Sequence, residues 1–171
     1  LETTSQFLTS IEEQTLKFMN QGKSLNQVLH EVIIPNDLME HPWLKPIYDD
    51  PKFLIRMIWR RYGGWWDGEY DRLLPSPRKE EAVEWVSLAG GIENIIAKAL
   101  ELSASNKNSI AANFIETAYH ADPQNEAVHN ARAHIYSEFS KEQSSSMGRN
   151  ILNHASLASS KGKRDMAETE D

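Results

Sequence analysis

Apolar residues recur along this chain at intervals of three and four, the spacing that lines up one face of an α-helix. From Ser5 to Asn20 they fall at Phe7, Leu8, Ile11, Leu16 and Met19, and Gly22 supplies a stop. Ser24 followed by Gln27 is a capping-box signature ahead of Leu25, Val28, Leu29 and Val32, and Pro35 ends that second helix. The segment NDLMEHPWLKPIYDD places Asn36, Pro42 and Pro46 close together, which predicts a short helix or extended arm carrying Trp43. Asp50 before Pro51 is a helix start: the carboxylate accepts from free amides, and proline lacks only a donor that has no partner there. The helix from Pro51 to Tyr62 carries Phe53, Leu54, Met57, Ile58 and Trp59 around much of its circumference, with Arg56, Arg60 and Arg61 on the remaining side. That pattern predicts a helix buried between others, ended by a positive φ at Gly63.

Next comes RYGGWWDGEYDRLLPSP, from Arg61 to Pro77, which sets two tryptophans and an aspartate among three glycines. Ser76 and Pro77 repeat the cap-plus-proline start, and Ala82, Val83, Val86 and Leu88 lead to a stop at Gly90 and Gly91. Three further helices follow, from Ile92 to Leu102, Ile110 to His120 and Glu126 to Phe139, separated by the turns SASNKNS and ADPQN. Ala118 and Ala121 followed by Pro123 resemble the hairpin of a tetratricopeptide unit. A last helix is expected within Gln143 to Ser159. The end, KGKRDMAETED, is charged enough to predict disorder. No segment alternates with a period of two. The expected fold is all-α: an antiparallel helical bundle with a tetratricopeptide-like hairpin and no sheet, one domain over 1–160 and a disordered tail over 161–171.

Composition narrows the functions. The net charge is −7 with the acids spread along the chain, so there is no electrostatic footprint for nucleic acid or an anionic membrane surface. No apolar stretch reaches the roughly 18 residues of a membrane span. The absence of cysteine removes disulfide, zinc-thiolate and thiol-nucleophile chemistry, and it suits cytoplasm and periplasm alike for a soluble chain. Because the first residue is Leu, the chain is expected to be a piece of a longer protein or a processed product.

Candidate chemistry is sparse. Of six histidines, His129 and His134 stand five apart, which turns their rings about 140° away from each other on a helix. They cannot share a metal from one helix; His120 could approach them across the hairpin, and surface or interhelical roles are the simpler reading. Glu80, Glu81 and Glu84 begin a helix, where carboxylates complement its dipole. No GxSxG elbow is present, and Gly63, Gly64 and Gly68 lack the spacing and the Lys-Ser/Thr of a phosphate loop. Trp65 and Trp66 could stack bases, but no basic groove accompanies them. As packing anchors in a turn fixed by Asp67-Gly68, they fit a core or a subunit interface.

The run RYGGWWDGEYDRLLPSP, followed by EAVEWVSLAGG, resembles the dimerisation domain of the zinc-dependent alkyl sulfatases, a branch of the metallo-β-lactamase superfamily. In that family a helix ending in Arg/Lys-Tyr-x-Gly-Trp-aromatic-Asp-Gly is followed by Leu-x-Pro-x-Pro. Arg61, Tyr62, Gly64, Trp65, Trp66, Asp67, Gly68, Leu73, Pro75 and Pro77 fill those places here. LKFMNQGKSLNQVLHEVIIP and the hairpin ending in YHADPQN extend the likeness over nearly the whole chain. The resemblance implies a non-catalytic module of a larger hydrolase, a homodimer joined by a largely apolar isologous interface, and a separate catalytic domain that holds zinc through HxHxDH. This chain has no such motif, so neither catalytic nor metal residues are assigned to it. Phe53 and Arg56 are implied at the rim of the parent's active site. Two stretches depart from the family: Lys52, Phe53 and Leu54 replace its Ser-His-Asn, and Glu69-Tyr70 replaces its Asn-Pro. Phenylalanine can neither donate to a sulfate nor titrate beside it, which implies a parent acting on another ester. A rival reading is a helical-repeat module that takes a peptide or aliphatic ligand in a groove lined by Trp43, Trp59 and Trp85. A third is a free-standing enzyme built on His120, His129 and His134.

Overall fold

Four helix starts carry side-chain caps. Ser24 accepts from the Gln27 amide while the Gln27 side chain accepts from the Ser24 amide, a complete capping box. Asp50 accepts from Lys52, Asn125 from Ala127 and Val128, and Ser145 from Gly148. The computed structural model describes residues 2–164, and among them the secondary structure is entirely helical. The helices are α1 (Glu2–Asn20), α2 (Leu25–Glu31), α3 (Asn36–Met39), α4 (Pro51–Gly63), α5 (Arg78–Leu88), α6 (Ile92–Ala104), α7 (Asn108–Ala121), α8 (Glu126–Lys141) and α9 (Ser146–Ser160), with a 3-10 turn at Tyr70–Arg72. They fall into two compact units, one up to residue 75 and the other from residue 76 onward. The disordered tail expected over 161–171 lies, from residue 165 on, outside the described residues.

In the first unit, α1 and α2 pack on α4. The core gathers Phe7 and Ile11 of α1, Val28 and Leu29 of α2, Leu38 of α3, then Leu44, and Ile55 and Trp59 of α4. Three expectations need correction here. The short helix α3 stops at Met39, and Trp43 stands in the following turn, 86% exposed. Helix α4 is not buried all round: only Ile55 and Trp59 are buried, and Met57 and Tyr62 project into solvent because α1 and α2 cover one side of it. The positive φ that ends α4 belongs to Gly64, at 82°, while Gly63 is its last helical residue.

In the second unit, Ile95 and Ala99 of α6, Ala111, Ile115, Ala118 and Tyr119 of α7, and Val128, Ala131 and Ile135 of α8 form one core. Alanines let these helices approach closely. Each fully buried Ile or Val contributes about 1.5–3 kcal/mol, well above an exposed ion pair such as Lys98–Glu101 at roughly 0.5. Helix α9 packs on α8, where the Ser156 hydroxyl donates to the Ala133 carbonyl at 2.7 Å. Helix α5 starts one residue later than expected: Pro77 is the N-cap and makes no side-chain cap bond, while the Ser76 hydroxyl reaches Glu81 at 3.3 Å.

Candidate functional site

The segment after α4 is held by its backbone as much as by its rings. The Trp59 indole, buried in the first core, donates to the Trp66 carbonyl at 2.9 Å, and the Trp66 indole donates to the Glu69 carbonyl at 3.1 Å. Trp66 is half-buried and meets Tyr70 edge-on, with ring centroids 5.6 Å apart. One Asp67 carboxylate oxygen accepts from the Glu69 amide at 3.1 Å, and the other lies 3.3 Å from the Arg72 guanidinium. The Asp67 carbonyl accepts from the Leu25 amide at 2.8 Å, one of the donors that a helix start leaves without a partner. Gly68 lies over Ser24, with a φ of 86°. The loop is therefore seated on the N-terminus of α2.

The motif residues divide between this seat and the surface. Trp66, Asp67 and Gly68 are half-buried, whereas Trp65 is 79% exposed, and Leu73, Pro75 and Pro77 are exposed. The exposed Arg61 guanidinium stacks on the ring of Tyr62, at 5.7 Å, and the Tyr62 hydroxyl donates to Glu12 of α1 at 3.0 Å. Phe53 is half-buried and Arg56, one turn on, is exposed. Of the three tryptophans proposed to line a groove, Trp59 belongs to the first core, so it lines no open surface; Trp85 is 53% exposed on α5 and donates to Glu81 at 3.3 Å.

A polar cluster that sequence reasoning missed lies in the second unit. Arg132 of α8 is 5% exposed. Its Nε donates to Glu116 of α7 at 2.6 Å, and its Nη1 donates to Ser159 of α9 at 2.6 Å and to the Ala155 carbonyl at 3.3 Å. The guanidinium also lies over the rings of Tyr119 and Tyr136, at 5.1 and 4.9 Å. Burial, reinforced by the Glu116 charge, pushes the Tyr136 phenol well above its usual range, so it remains a neutral donor. The available signal was a charge, Glu116, set directly beside the buried Ile115 in an apolar stripe.

The histidines do not converge. His120 stands beside Arg78 at 3.5 Å and Glu116 at 3.9 Å; burial lowers its pKa below 6.5, Glu116 opposes this, and Arg78, Arg164 and Arg132 add to it. His129 is buried with Nε2 against the Pro123 carbonyl at 3.0 Å and no hydrogen-bond partner on Nδ1. His134 is exposed. Among the described residues no three His, Asp or Glu side chains are placed to hold a metal. The donor set does not fit zinc, and no chemistry through a metal is assigned to these side chains. Nor is any helix among the described residues long and apolar enough to cross a membrane.

Comparison with known proteins follows the helices rather than any catalytic group. The family model described as alkyl sulfatase dimerisation matches residues 24–162. A linear primary-alkylsulfatase of a Pseudomonas strain is 30% identical over 100 residues, 58% of this chain and 19% of that protein. An alkyl/aryl-sulfatase of Saccharomyces cerevisiae is 25% identical over 71% of this chain and 18% of its own length. The solved structure of a stereoselective inverting sec-alkylsulfatase from Pseudomonas sp. superposes with a TM-score of 0.82 at 22% identity, covering 89% of this chain and 24% of that one. The chain thus spans about a fifth of the length of the curated relatives it matches.

Proposed function

Because the chain belongs to the alkyl sulfatase dimerisation family, we propose that it is a non-catalytic helical module joining two copies of a zinc-dependent alkyl-sulfatase-like hydrolase. The observation that carries this reading is the extent of the family match. It runs through both compact units and takes in every motif residue from Arg61 to Pro77, so the two units serve as one functional module. Matched relatives about three to four times as long as this chain leave ample room for a catalytic domain of metallo-β-lactamase type, where the zinc belongs. Phe53 and Arg56 border the entrance to that site in this reading: an exposed guanidinium attracts an oxyanion ester, and a phenyl ring favours its alkyl part. With no titratable group at position 53, the parent acts on an ester other than a simple alkyl sulfate.

Sedimentation of the chain from about 1 to about 100 µM tests the reading, since self-association is concentration-dependent. The expected result is a species of twice 19.5 kDa that grows with concentration. A monomer throughout would remove the dimerisation module.

A further inference from the structure

Between α1 and α4 of the first unit runs an apolar trough of about 260 Å³. Leu8 and Glu12 form the α1 wall, Leu54, Met57 and Arg61 the α4 wall, and the fully buried Ile11 the floor. Leu8 and Met57 are 47% and 59% exposed at its lips. One wall therefore ends in an acid and the other in a base. Glu12 and Arg61 lie at the same level, because the Tyr62 hydroxyl beside Arg61 donates to Glu12 at 3.0 Å. Among the described residues no ion pair joins Arg61 to any carboxylate.

We propose that this trough is the face through which two copies of the chain associate, about a dyad running along its length; the proposal rests on the self-association reading above and adds the surface. Rotation about that axis lays the partner's α1 over this α4 and this α1 over the partner's α4. The partner's Glu12 then meets Arg61, and Glu12 meets the partner's Arg61, while Leu8 and Met57 cover each other. The contact is isologous, with one surface used twice. A small apolar ligand is a poorer occupant. Such ligands are held where roughly 70–90% of their surface is buried, and this trough is open along both lips. It would also leave the acid and the base without an opposite charge to pair with.

The experiment is sedimentation equilibrium of the wild-type chain, Glu12→Arg, Arg61→Glu, the double variant Glu12→Arg/Arg61→Glu, and Met57→Lys. Far-UV circular dichroism melts establish that each is folded. Met57→Lys keeps the proposal falsifiable should a charge variant fail to fold, because it alters a lip side chain without touching the core. Each charge reversal and Met57→Lys is expected to raise the dimer dissociation constant by about tenfold or more, since like charges or a buried ammonium then face the partner. The double variant is expected to return to within about threefold of wild type, because the pairs reform with exchanged signs. A wild-type dimer left unchanged by folded single variants would overturn the assignment of this face and leave the self-association reading standing. A monomeric wild type would overturn both.

Discussion

A methyl group added at Gly68 would stand 3.0 Å from the Ser24 Cα and 3.3 Å from its Cβ, tighter than most such contacts, at a φ of 86° that L residues rarely adopt. Gly68→Ala is therefore expected to lower stability by about 2 kcal/mol, read from the urea midpoint. Its neighbour Asp67 separates two effects. Asp67→Ala loses the acceptor for the Glu69 amide and is expected to cost about 1 kcal/mol, whereas Asp67→Asn keeps that acceptor and loses only a half-exposed ion pair to Arg72, at less than about 0.5. Equal losses from the two variants would contradict the turn role. His120 sets a pH dependence. Its folded-state pKa lies below 6.5, so the unfolded chain binds more protons and stability falls as pH drops from 6.5 through the folded value. Between pH about 7.5 and about 5.5 the wild type should lose more stability in chemical denaturation than His120→Gln does. An identical loss would mean that His120 is not desolvated in the folded chain.

Among the elements, α7, α8 and α9 are tied by one guanidinium. Arg132 can be buried only because Glu116, Ser159 and a carbonyl satisfy it. Glu116→Ala leaves that charge without its carboxylate and is expected to cost about 3 kcal/mol. The double variant Glu116→Met/Arg132→Met should cost less than that single change, because no charge is left buried. A double variant less stable than Glu116→Ala would show that the ion pair itself carries the stability. This cluster also marks where the sequence stops being legible. Helix starts were readable from Ser24 and Asp50, because a cap acts within three residues of itself. The Arg132 partners stand 16 and 27 positions away, and no local pattern announces them. The same holds for the loop after α4: its tryptophans and glycines were conspicuous, but its seat on α2 depends on a bond from Leu25 to Asp67. Helix α4 misled for a related reason. Its apolar residues encircle it, and only the packing decides that Ile55 and Trp59 face the core while Met57 stays outside. The metal alternative dissolved on geometry, since His129 turns to Pro123 while His134 faces solvent.

At the scale of the whole molecule, the chain carries −7 net charge and spans about a fifth of its matched relatives, so association has to draw on a local surface rather than on overall attraction. The α1/α4 trough supplies such a surface with apolar lips and an acid and a base in register. An isologous contact of this kind has a direct consequence. Glu12→Arg chains repel one another at both pairs of a homodimer, and so do Arg61→Glu chains. In a mixed dimer, one pair sets the new arginine at position 12 against the new glutamate at position 61, and the other keeps the native Glu12 and Arg61. Sedimentation of the two variant chains, each alone and then mixed in equal amounts, is the measurement that decides. The predicted result is a mass of 19.5 kDa for each alone and twice that for the mixture. Dimers in both separate samples, or a mixture that remains monomeric, would contradict association of two copies through this face.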